Sequence, residues 1–281
     1  DFICSTANLP MQIELVKNET NPSLEFGFKR TLTFSFTVAL TSDMRMFSGQ
    51  GAYDTPLYFR GVCEAIRGIK ETAFMITPGD EDPPSFVRWT LDKYLGESYL
   101  WYPAVGNHEL PAETFEFYPE MNMNYLRQYN RNGNSLPYIV NTGPPGCEET
   151  TYSFDYKNAH FAVINEYYDG SSDMGTDGDV IDPLYHCLKA DLGASDKPFK
   201  FVIGHEPAFP QPDADNGLLR HVNVCLDKYP QNRDRFWNLL VEEEVVAYLT
   251  AHTHCYSLYK HRGVWQMDCG HARGLTLKKN V

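Results

Sequence analysis

Residues 100–109 are Leu-Trp-Tyr-Pro-Ala-Val-Gly-Asn-His-Glu, an apolar run that ends abruptly in polar side chains. A short apolar run bounded by glycine predicts a buried β-strand, here Leu100–Val105. Gly106 permits a sharp backbone turn where that strand ends. The amide, imidazole and carboxylate that follow are therefore expected at the edge of a sheet rather than inside it.

Four further polar motifs follow predicted strands in the same way. In open α/β sheets the carboxyl ends of the strands share one edge, so residues far apart in the chain converge there. Together the five motifs supply three Asp, one Asn and four His, which chance rarely places at strand ends. The motifs are Ser42-Asp43-Met44-Arg45, Gly79-Asp80-Glu81-Asp82, Gly106-Asn107-His108-Glu109, Gly204-His205-Glu206 and His252-Thr253-His254.

Predicted strands alternate with helical patterns along most of the chain, which indicates βαβ units and an α/β fold. Apolar residues between Leu57 and Ile69, and again from Trp237 to Val241, recur at helical spacing. Residues 1–31 have no strong period and are interpreted as an N-terminal extension or edge strand. The predicted strands are Leu32–Leu40, Ala73–Thr77, Leu100–Val105, Thr151–Tyr156, Phe161–Asn165, Phe199–Ile203, Val245–Thr250, Ser257–Lys260 and Val264–Met267.

The side chains of the five motifs favour a metal site. Carboxylate, amide oxygen and imidazole suit manganese, iron and zinc, and the lack of a cysteine cluster argues against a structural zinc site. Two cations about 3.5–4 Å apart need a shared anion and can clamp the attacking and leaving oxygens of a phosphoryl group. Asp80 is the candidate for that shared carboxylate. A bridging water would lose a proton near neutral pH, and the resulting hydroxide would be the nucleophile.

The order Asp, Gly-Asp, Gly-Asn-His-Glu, Gly-His-Glu and His-Thr-His resembles that of the calcineurin-like metallophosphoesterases. This family includes protein phosphatases, purple acid phosphatases and phosphodiesterases, and the resemblance covers roughly residues 32–272. It implies a four-layer α/β/β/α sandwich with mixed sheets and a metallophosphoesterase domain over residues 32–281. It also implies hydrolysis of phosphomonoesters or phosphodiesters, whether small molecules or macromolecules.

The resemblance further implies two divalent or trivalent metal ions, with manganese, iron and zinc as the candidates. His108 would protonate the leaving oxygen or steady the developing charge, which suits an imidazole whose pKa lies near the operating pH. The implied ligands are Asp43 and His254 for the first metal, Asn107, His205 and His252 for the second, and Asp80 between them.

The first motif departs from the family pattern. The family has Asp-x-His, whereas an arginine stands third in this motif, so the first metal site is expected to be weaker. A guanidinium has no acceptor and cannot ligate a metal. We therefore expect Arg45 to contact a substrate phosphate, where its planar fork suits two oxygens, or to pair with a carboxylate such as Asp82. Pro83 stands where purple acid phosphatases have a tyrosine ligand.

Five histidines, one arginine and an acidic segment outside the five motifs also bear on the function. His271 and Arg273 follow the last motif and are candidates for lining the substrate pocket, while His160 is interpreted as an ordinary, partly buried histidine. The segment Tyr168–Asp182 carries five Asp and is interpreted as a solvated loop, with a weak calcium site as the alternative. Three histidines without a motif are expected at the surface: His186, His221 and His261.

Composition argues against several other classes of protein. The net charge of −13 disfavours a nucleic-acid coat or an anionic-membrane binder. No stretch approaches 18 apolar residues, so no transmembrane helix is expected. The chain begins at Asp1 without an initiator Met or an apolar signal core, so we expect a soluble protein from which a targeting segment has been removed. An extracytoplasmic location is one interpretation, and the oligomeric state stays open.

Two other functions compete with a phosphoesterase. Arg45 would mark a degenerate site in a catalytically weakened or inactive protein that uses the same fold for binding. A serine or cysteine hydrolase is disfavoured, because the chain has no Gly-x-Ser-x-Gly and no cysteine in a nucleophile context. Substrate specificity is expected to come from the loops Pro111–Pro137 and Tyr167–Pro183.

Overall fold

Two β-sheets face each other in this protein, and helices pack on their outer faces. The computed structural model describes residues 2–3, 11–14, 17–18, 33–44, 59–69, 72–110, 119–175, 177–214 and 216–270. None of the helices in these ranges combines the length and the apolar character needed to cross a bilayer.

The first sheet is built from the N-terminal third of the chain. Strands β1 to β7 are Phe2–Ile3, Met11–Glu14, Lys17–Asn18, Thr33–Phe34, Thr37–Leu40, Thr72–Thr77 and Leu100–Pro103. The sheet has the order β1-β2-β5-β6-β7, while β3 and β4 pair with each other separately. β5, β6 and β7 are parallel, and β2 joins β5 in the antiparallel direction.

The second sheet has seven strands in the C-terminal half of the chain. Strands β8 to β14 are Ile139–Thr142, Tyr152–Tyr156, Ala159–Val163, Phe199–Ile203, Ala247–Thr250, Tyr256–His261 and Val264–Cys269. Their order is β13-β14-β12-β11-β10-β9-β8. The four central strands are parallel and the outer pairings are antiparallel, so the sheet is mixed as predicted.

Aromatic side chains fill the space between the sheets. Phe74 of β6 meets Phe154 and Phe161 of the second sheet edge-on, at centroid distances of 5.5 and 5.4 Å. Tyr102 of β7 stacks on Phe154 at 3.7 Å. Because successive side chains of a strand point to opposite faces, Met75 and Trp101, the neighbours of these aromatic residues in β6 and β7, face the helices instead.

Helices complete the outer two layers. Helices α1 to α5 are Phe59–Gly68, Pro84–Leu95, Pro119–Tyr129, Asp182–Ala194 and Pro230–Glu242. α1 and α2 pack on the outer face of the first sheet, and α4 and α5 on that of the second. The predicted four-layer α/β/β/α sandwich is thereby confirmed.

The positions of the strands were predicted more accurately than the residues at which they begin and end. Each predicted strand overlaps an observed one, but the prediction of Leu32–Leu40 as one strand is wrong. β4 pairs with β3, whereas β5 pairs with β2 and β6, so the chain changes sheets between them. Helix α3 lies within the predicted loop Pro111–Pro137, and β8 was not predicted.

Candidate metal centre

Polar side chains follow five parallel strands, at the carboxyl end of each. The first three strands belong to one sheet and the last two to the other, so the site straddles the ends of both sheets. Asp43, Asp80 and Asn107 follow β5, β6 and β7, His205 follows β11, and His252 and His254 follow β12.

Four of these residues have left-handed backbone conformations. The φ angles are 57° at Asp43, 57° at Asp80, 69° at His252 and 54° at His254. Residues other than glycine rarely adopt positive φ, and such residues concentrate at functional sites, where the surrounding structure holds them in place. The strained backbone of these turns therefore sets the direction of the four side chains, and the strain costs free energy locally.

Four side chains form what we call the second ligand group: Asp80, Asn107, His205 and His252. Asn107 Oδ1 lies 3.1 Å from His205 Nε2 and 3.0 Å from His252 Nδ1. The two ring nitrogens are 3.1 Å apart, and Asp80 Oδ1 is 3.4 Å from His205 Nε2. Ligands at 2.0–2.2 Å from a tetrahedral ion are about 3.3–3.6 Å apart, so the side-chain atoms of Asn107, His205 and His252 are near the spacing that one ion requires.

Asp43, Asp80 and His254 form the first ligand group. One possible ligand atom from each lies within 4.8 Å of the other two. Asp43 Oδ1 is 3.4 Å from His254 Nε2. The weaker first site expected from the sequence stays a prediction.

Several buried atoms of the two groups have no hydrogen-bond partner. These are both carboxylate oxygens of Asp43, Oδ2 of Asp80 and Nε2 of His252. Asp43 and Asp80 are 0% and 1% exposed, so water does not compensate for the missing partners. Buried carboxylates without donors are unfavourable unless a cation is nearby, so the donor set fits metal ions.

The protonation states also suit metal binding. Burial by itself would raise the pKa of Asp43, but the neighbouring His254, together with the charges of His205 and His108, lowers it below its ordinary value. Burial, together with the charge of His205, holds the pKa of His252 well below the usual range. An ionised carboxylate and a neutral imidazole are the forms that ligate metals.

Glu109, the last residue of the Gly-Asn-His-Glu motif, organises the turns around Asp80. Its Oε2 accepts hydrogen bonds from the backbone N–H groups of Asp80 at 3.0 Å and of Gly106 at 2.7 Å. The backbone N–H of His108 donates to Asp80 Oδ1 at 3.0 Å. Glu109 is completely buried, and its two hydrogen bonds connect the turn after β6 with the turn after β7.

Three predictions about the histidines are wrong, since His160 is fully buried and both His221 and His261 are half-buried. His221 was expected at the surface, but it is half-buried, with its ring centroid 4.6 Å from that of His252 and 5.8 Å from that of His254. Its neighbour Arg220 places Nη1 3.5 Å from His254 Nδ1. Both residues lie on an irregular segment without a motif, so the sequence carried no signal that could have located them here.

Of the other predicted site residues, His108 and Asp82 lie within the described residues. His108 lies beside the ligand groups, with Nε2 3.8 Å from Asp80 Oδ2. Asp82, the proposed partner of Arg45, accepts a hydrogen bond at Oδ1 from Asn122 Nδ2 at 3.0 Å. The predictions for Arg45, His271 and Arg273 lie outside the described residues.

The acidic segment Tyr168–Asp182 does not gather its carboxylates into a group. Among the described residues, the one set of three His, Cys, Asp or Glu side chains close enough to hold an ion is the first ligand group. The five Asp of the segment have separate partners: Ser171 and Ser172 for Asp169, Arg127 for Asp173, Lys228 for Asp177, Asn232 for Asp179 and Arg235 for Asp182.

Comparison with protein families identifies the class of protein. Residues 36–256 match the model of the calcineurin-like phosphoesterases. The chain therefore belongs to the calcineurin-like phosphoesterase family. No curated protein matches this chain.

Solved structures with a similar fold are distant in sequence. GAP50, the anchor in the inner membrane complex of Plasmodium, is 15% identical with a TM-score of 0.48, over 84% of this chain and 71% of that one. The phosphopantetheinyl hydrolase of Mycobacterium tuberculosis is 14% identical with a TM-score of 0.42, over 82% and 87%. A 5'-nucleotidase of Candida albicans is 11% identical with a TM-score of 0.44, over 82% and 45%.

Proposed function

We propose that this chain is a metal-dependent hydrolase of phosphomonoesters or phosphodiesters. The observation that carries the proposal is the set of buried carboxylate oxygens without hydrogen-bond partners on Asp43 and Asp80. Such oxygens are unfavourable unless a cation lies nearby, and the chemistry of the two ligand groups suits manganese, iron or zinc. Membership of the calcineurin-like phosphoesterases supports the same class of reaction.

The residues of the two ligand groups have distinct parts in this proposal. Bound cations would supply Lewis acidity at the phosphoryl oxygens and would make a water molecule acidic enough to attack phosphorus. Asp80 belongs to both groups, because its Oδ1 lies 3.4 Å from His205 Nε2 and one of its carboxylate oxygens lies within 4.8 Å of possible ligand atoms of Asp43 and His254. The carboxylate of Asp80 would thus hold the two ions at a fixed separation.

His108 is the candidate for the proton transfer. Its side chain is 21% exposed, which leaves it accessible to a substrate while its backbone N–H is tied to Asp80. An imidazole in this position would donate a proton to the leaving oxygen as the phosphorus–oxygen bond breaks.

Turnover of aryl phosphates by the manganese-loaded protein tests the proposal. We expect hydrolysis of an aryl phosphomonoester or of the matching bis-aryl diester, and the ratio of the two rates assigns the substrate class. Asp80→Asn should abolish both activities together with metal binding, because it removes the charge shared by the two groups. Equal rates for Asp80→Asn and the unaltered protein would contradict the proposal.

A second candidate function is phosphoester binding with little turnover. The observation that favours it is the arginine at position 45, where the family motif has a histidine ligand. Such a protein would bind inorganic phosphate or an aryl phosphate in the presence of manganese without hydrolysing it. Phosphate binding measured by calorimetry beside the turnover assay distinguishes the two candidates.

A further inference from the structure

An exposed apolar surface lies beside the candidate metal centre. Leu218, Leu219, Val222 and Val224 are 49%, 49%, 44% and 51% exposed. Ten large apolar side chains are exposed in the described part of the chain, and these four of them fall within seven consecutive positions. Single exposed apolar residues need no explanation, whereas a contiguous group of them marks a binding site. We call residues 218–224 the apolar segment.

The apolar segment lies against the histidines of both ligand groups. The ring centroid of His221 is 4.6 Å from that of His252 and 5.8 Å from that of His254. Arg220 Nη1 is 3.5 Å from His254 Nδ1. Consecutive Cα atoms are about 3.8 Å apart, so the apolar residues directly before and after this pair are also close to the ligand groups. A molecule held at the ligand groups through a phosphate therefore has the apolar segment as its neighbour.

Hydrogen bonds hold the backbone of the apolar segment in place. The carbonyl oxygen of Leu218 accepts the N–H of Asp213 at 2.9 Å, and the carboxylate of Asp227 accepts the N–H of Asn223 at 2.8 Å. The φ angles of His221 and Asn223 are 56° and 63°. Positive φ at residues other than glycine concentrates at ligand sites, where the surrounding structure maintains it. The apolar side chains are thus presented on an anchored backbone, which lowers the entropic cost of binding a ligand.

The charge of this part of the chain suits an anionic ligand. The protein has 37 acidic residues and a net charge of −13, yet residues 216–226 contain no Asp or Glu. The charged side chain in this stretch is Arg220, and His221 is its neighbour. The surroundings of the apolar segment therefore combine apolar and positive character. A phosphate that carries an apolar group matches both properties, whereas the acidic protein as a whole repels an anionic membrane.

We propose that the apolar segment binds the leaving group, so that the substrates of this site are phosphoesters of a hydrophobic alcohol. The phosphoryl group lies at the ligand groups, and the apolar part of the alcohol lies along the four exposed side chains. Hydrolysis joins the oxygen of water to phosphorus and breaks the bond to the alcohol oxygen. That oxygen gains one proton, and the other proton of the water stays with the phosphate. This inference rests on the proposed function and names its substrate class.

Binding of n-alkylphosphonates to the manganese-loaded protein, measured by calorimetry, tests the proposal. Their carbon–phosphorus bond replaces the ester bond, and successive members differ by one methylene group. Burying a methylene group fully tightens binding by about fourfold, so a surface that stays half open to water should give about twofold. We expect affinity to rise from ethylphosphonate to octylphosphonate, with a heat-capacity change that becomes more negative at each step. Equal affinities for all members would overturn the proposal.

Serine variants locate the surface that recognises the alkyl chain. The double variant Leu219→Ser with Val222→Ser replaces two exposed side chains, and circular dichroism verifies that it is folded. It should reduce the gain from ethylphosphonate to octylphosphonate from about 60-fold to about tenfold or less. Val140→Ser, at a residue of β8 that is 50% exposed, should keep the whole gain. A double variant with the same gain as the unaltered protein would contradict the proposal.

Turnover of n-alkyl phosphates separates this inference from the proposed function. The alcohols released have nearly equal acidity, so kcat/KM should rise with chain length in parallel with phosphonate affinity. An equal kcat/KM at every chain length would overturn the role of the apolar segment and leave the hydrolase intact. If no alkyl or aryl phosphate is turned over but the affinity gain is present, the hydrolase is overturned and the apolar segment is supported as a binding surface.

Two other occupants of the apolar segment give different results. Dimerisation in analytical ultracentrifugation that the double variant abolishes, combined with equal phosphonate affinities, would assign the surface to a second copy of the chain. Co-sedimentation with neutral phosphatidylcholine vesicles that the double variant abolishes, again with equal affinities, would assign it to a lipid surface. Either result would overturn the proposal.

Discussion

The backbone N–H of His205 donates a hydrogen bond to Oε2 of Glu166 over 3.0 Å, at the end of β11. The same oxygen accepts the N–H of Glu206 at 2.8 Å, and the other carboxyl oxygen contacts the hydroxyl of Tyr248. Glu166 is completely buried, and burial raises its pKa to about 7. One acidic side chain thus determines the turn that carries a proposed metal ligand.

Replacing Glu166 should affect stability and metal binding together. Glu166→Leu leaves two buried N–H groups without an acceptor, at a cost of about 1–3 kcal/mol each. It should also weaken manganese binding by about 10–100-fold, because the ring of His205 is no longer held in place. Glu166→Gln keeps an acceptor and should retain most of both properties. Denaturant unfolding and metal titration measure the two effects, and equal results for Leu and Gln would contradict this role.

Gly79 provides a test of how closely the turns around Asp80 are packed. Its φ is +95°, and an added Cβ would lie 2.6 Å from the backbone nitrogen of Gly106 and 2.7 Å from Nδ1 of His205. Gly96 has nearly the same φ, +99°, with nothing within 4 Å of its added Cβ. Gly96 has a ψ of 151°, a combination that is essentially restricted to glycine, so Gly96→Ala should cost only the backbone strain, about 1–3 kcal/mol.

Gly79→Ala adds a steric conflict to the same backbone strain. We expect it to destabilise the protein by a further amount of about 1–3 kcal/mol and to lower metal affinity as His205 shifts. Urea unfolding of both variants gives the comparison. A Gly79→Ala variant no less stable than Gly96→Ala would show that the turn relaxes without disturbing the site.

His108→Ala should separate catalysis from metal binding. His108 Nε2 lies 3.8 Å from Asp80 Oδ2. His108 belongs to neither ligand group, so both metals should stay bound in the variant. Loss of a general acid typically lowers the rate by about 10²–10⁴-fold. Metal content and turnover are measured on the same preparation. If the variant loses metal, His108 is a ligand and the assignment of roles is wrong.

His160 should make stability depend on pH. It is 1% exposed and bonds to Asp155 at 2.8 Å and to Asp191 at 3.0 Å. Burial by itself lowers the pKa of His160, but the hydrogen bonds and charges of Asp191 and Asp155 raise it above its ordinary value. The charged histidine therefore stabilises the fold fully below about pH 6.5, the ordinary value for histidine, and this contribution is lost as pH rises through the raised pKa.

The variant His160→Gln isolates that contribution. The difference in unfolding free energy between the unaltered protein and the variant should be largest near pH 6, where an unperturbed histidine is about three-quarters charged. It should shrink as the pH is raised to about 9, where histidine is neutral in the unfolded chain. A difference that stays constant over this range would mean that His160 has the same pKa in the folded and unfolded protein, which would contradict the raised pKa.

The sequence predicted an α/β fold because its strands are largely apolar runs that end at a glycine, as at Leu100–Val105 and Phe199–Ile203, whereas the four-layer sandwich was implied by the family resemblance. The convergence of the motif residues followed from the rule that parallel strands end at one edge. Those signals are local in sequence, so they can be identified without knowing the three-dimensional contacts.

Other features depend on contacts between distant segments. Glu166 and His205 are connected by a hydrogen bond across two strands, and no spacing in the sequence indicates it. His221 and Arg220 reach the site on an irregular segment whose path is set by bonds to Asp213 and Cys225. Helix α3 was not predicted because Met121, Met123 and Tyr125 alternate with polar residues, a spacing of two that is not typical of a helix.

The most direct test of the central claim is a crystal structure of the manganese-loaded protein with anomalous scattering measured at the manganese edge. We predict a strong anomalous peak bounded by Asp80, Asn107 Oδ1, His205 Nε2 and His252 Nδ1, with a weaker peak beside Asp43 and His254. Asp80→Asn should remove both peaks, while Asp182→Asn, at the exposed start of α4, should keep them. A peak elsewhere on the chain, or none at the second ligand group in a folded protein, would contradict the account.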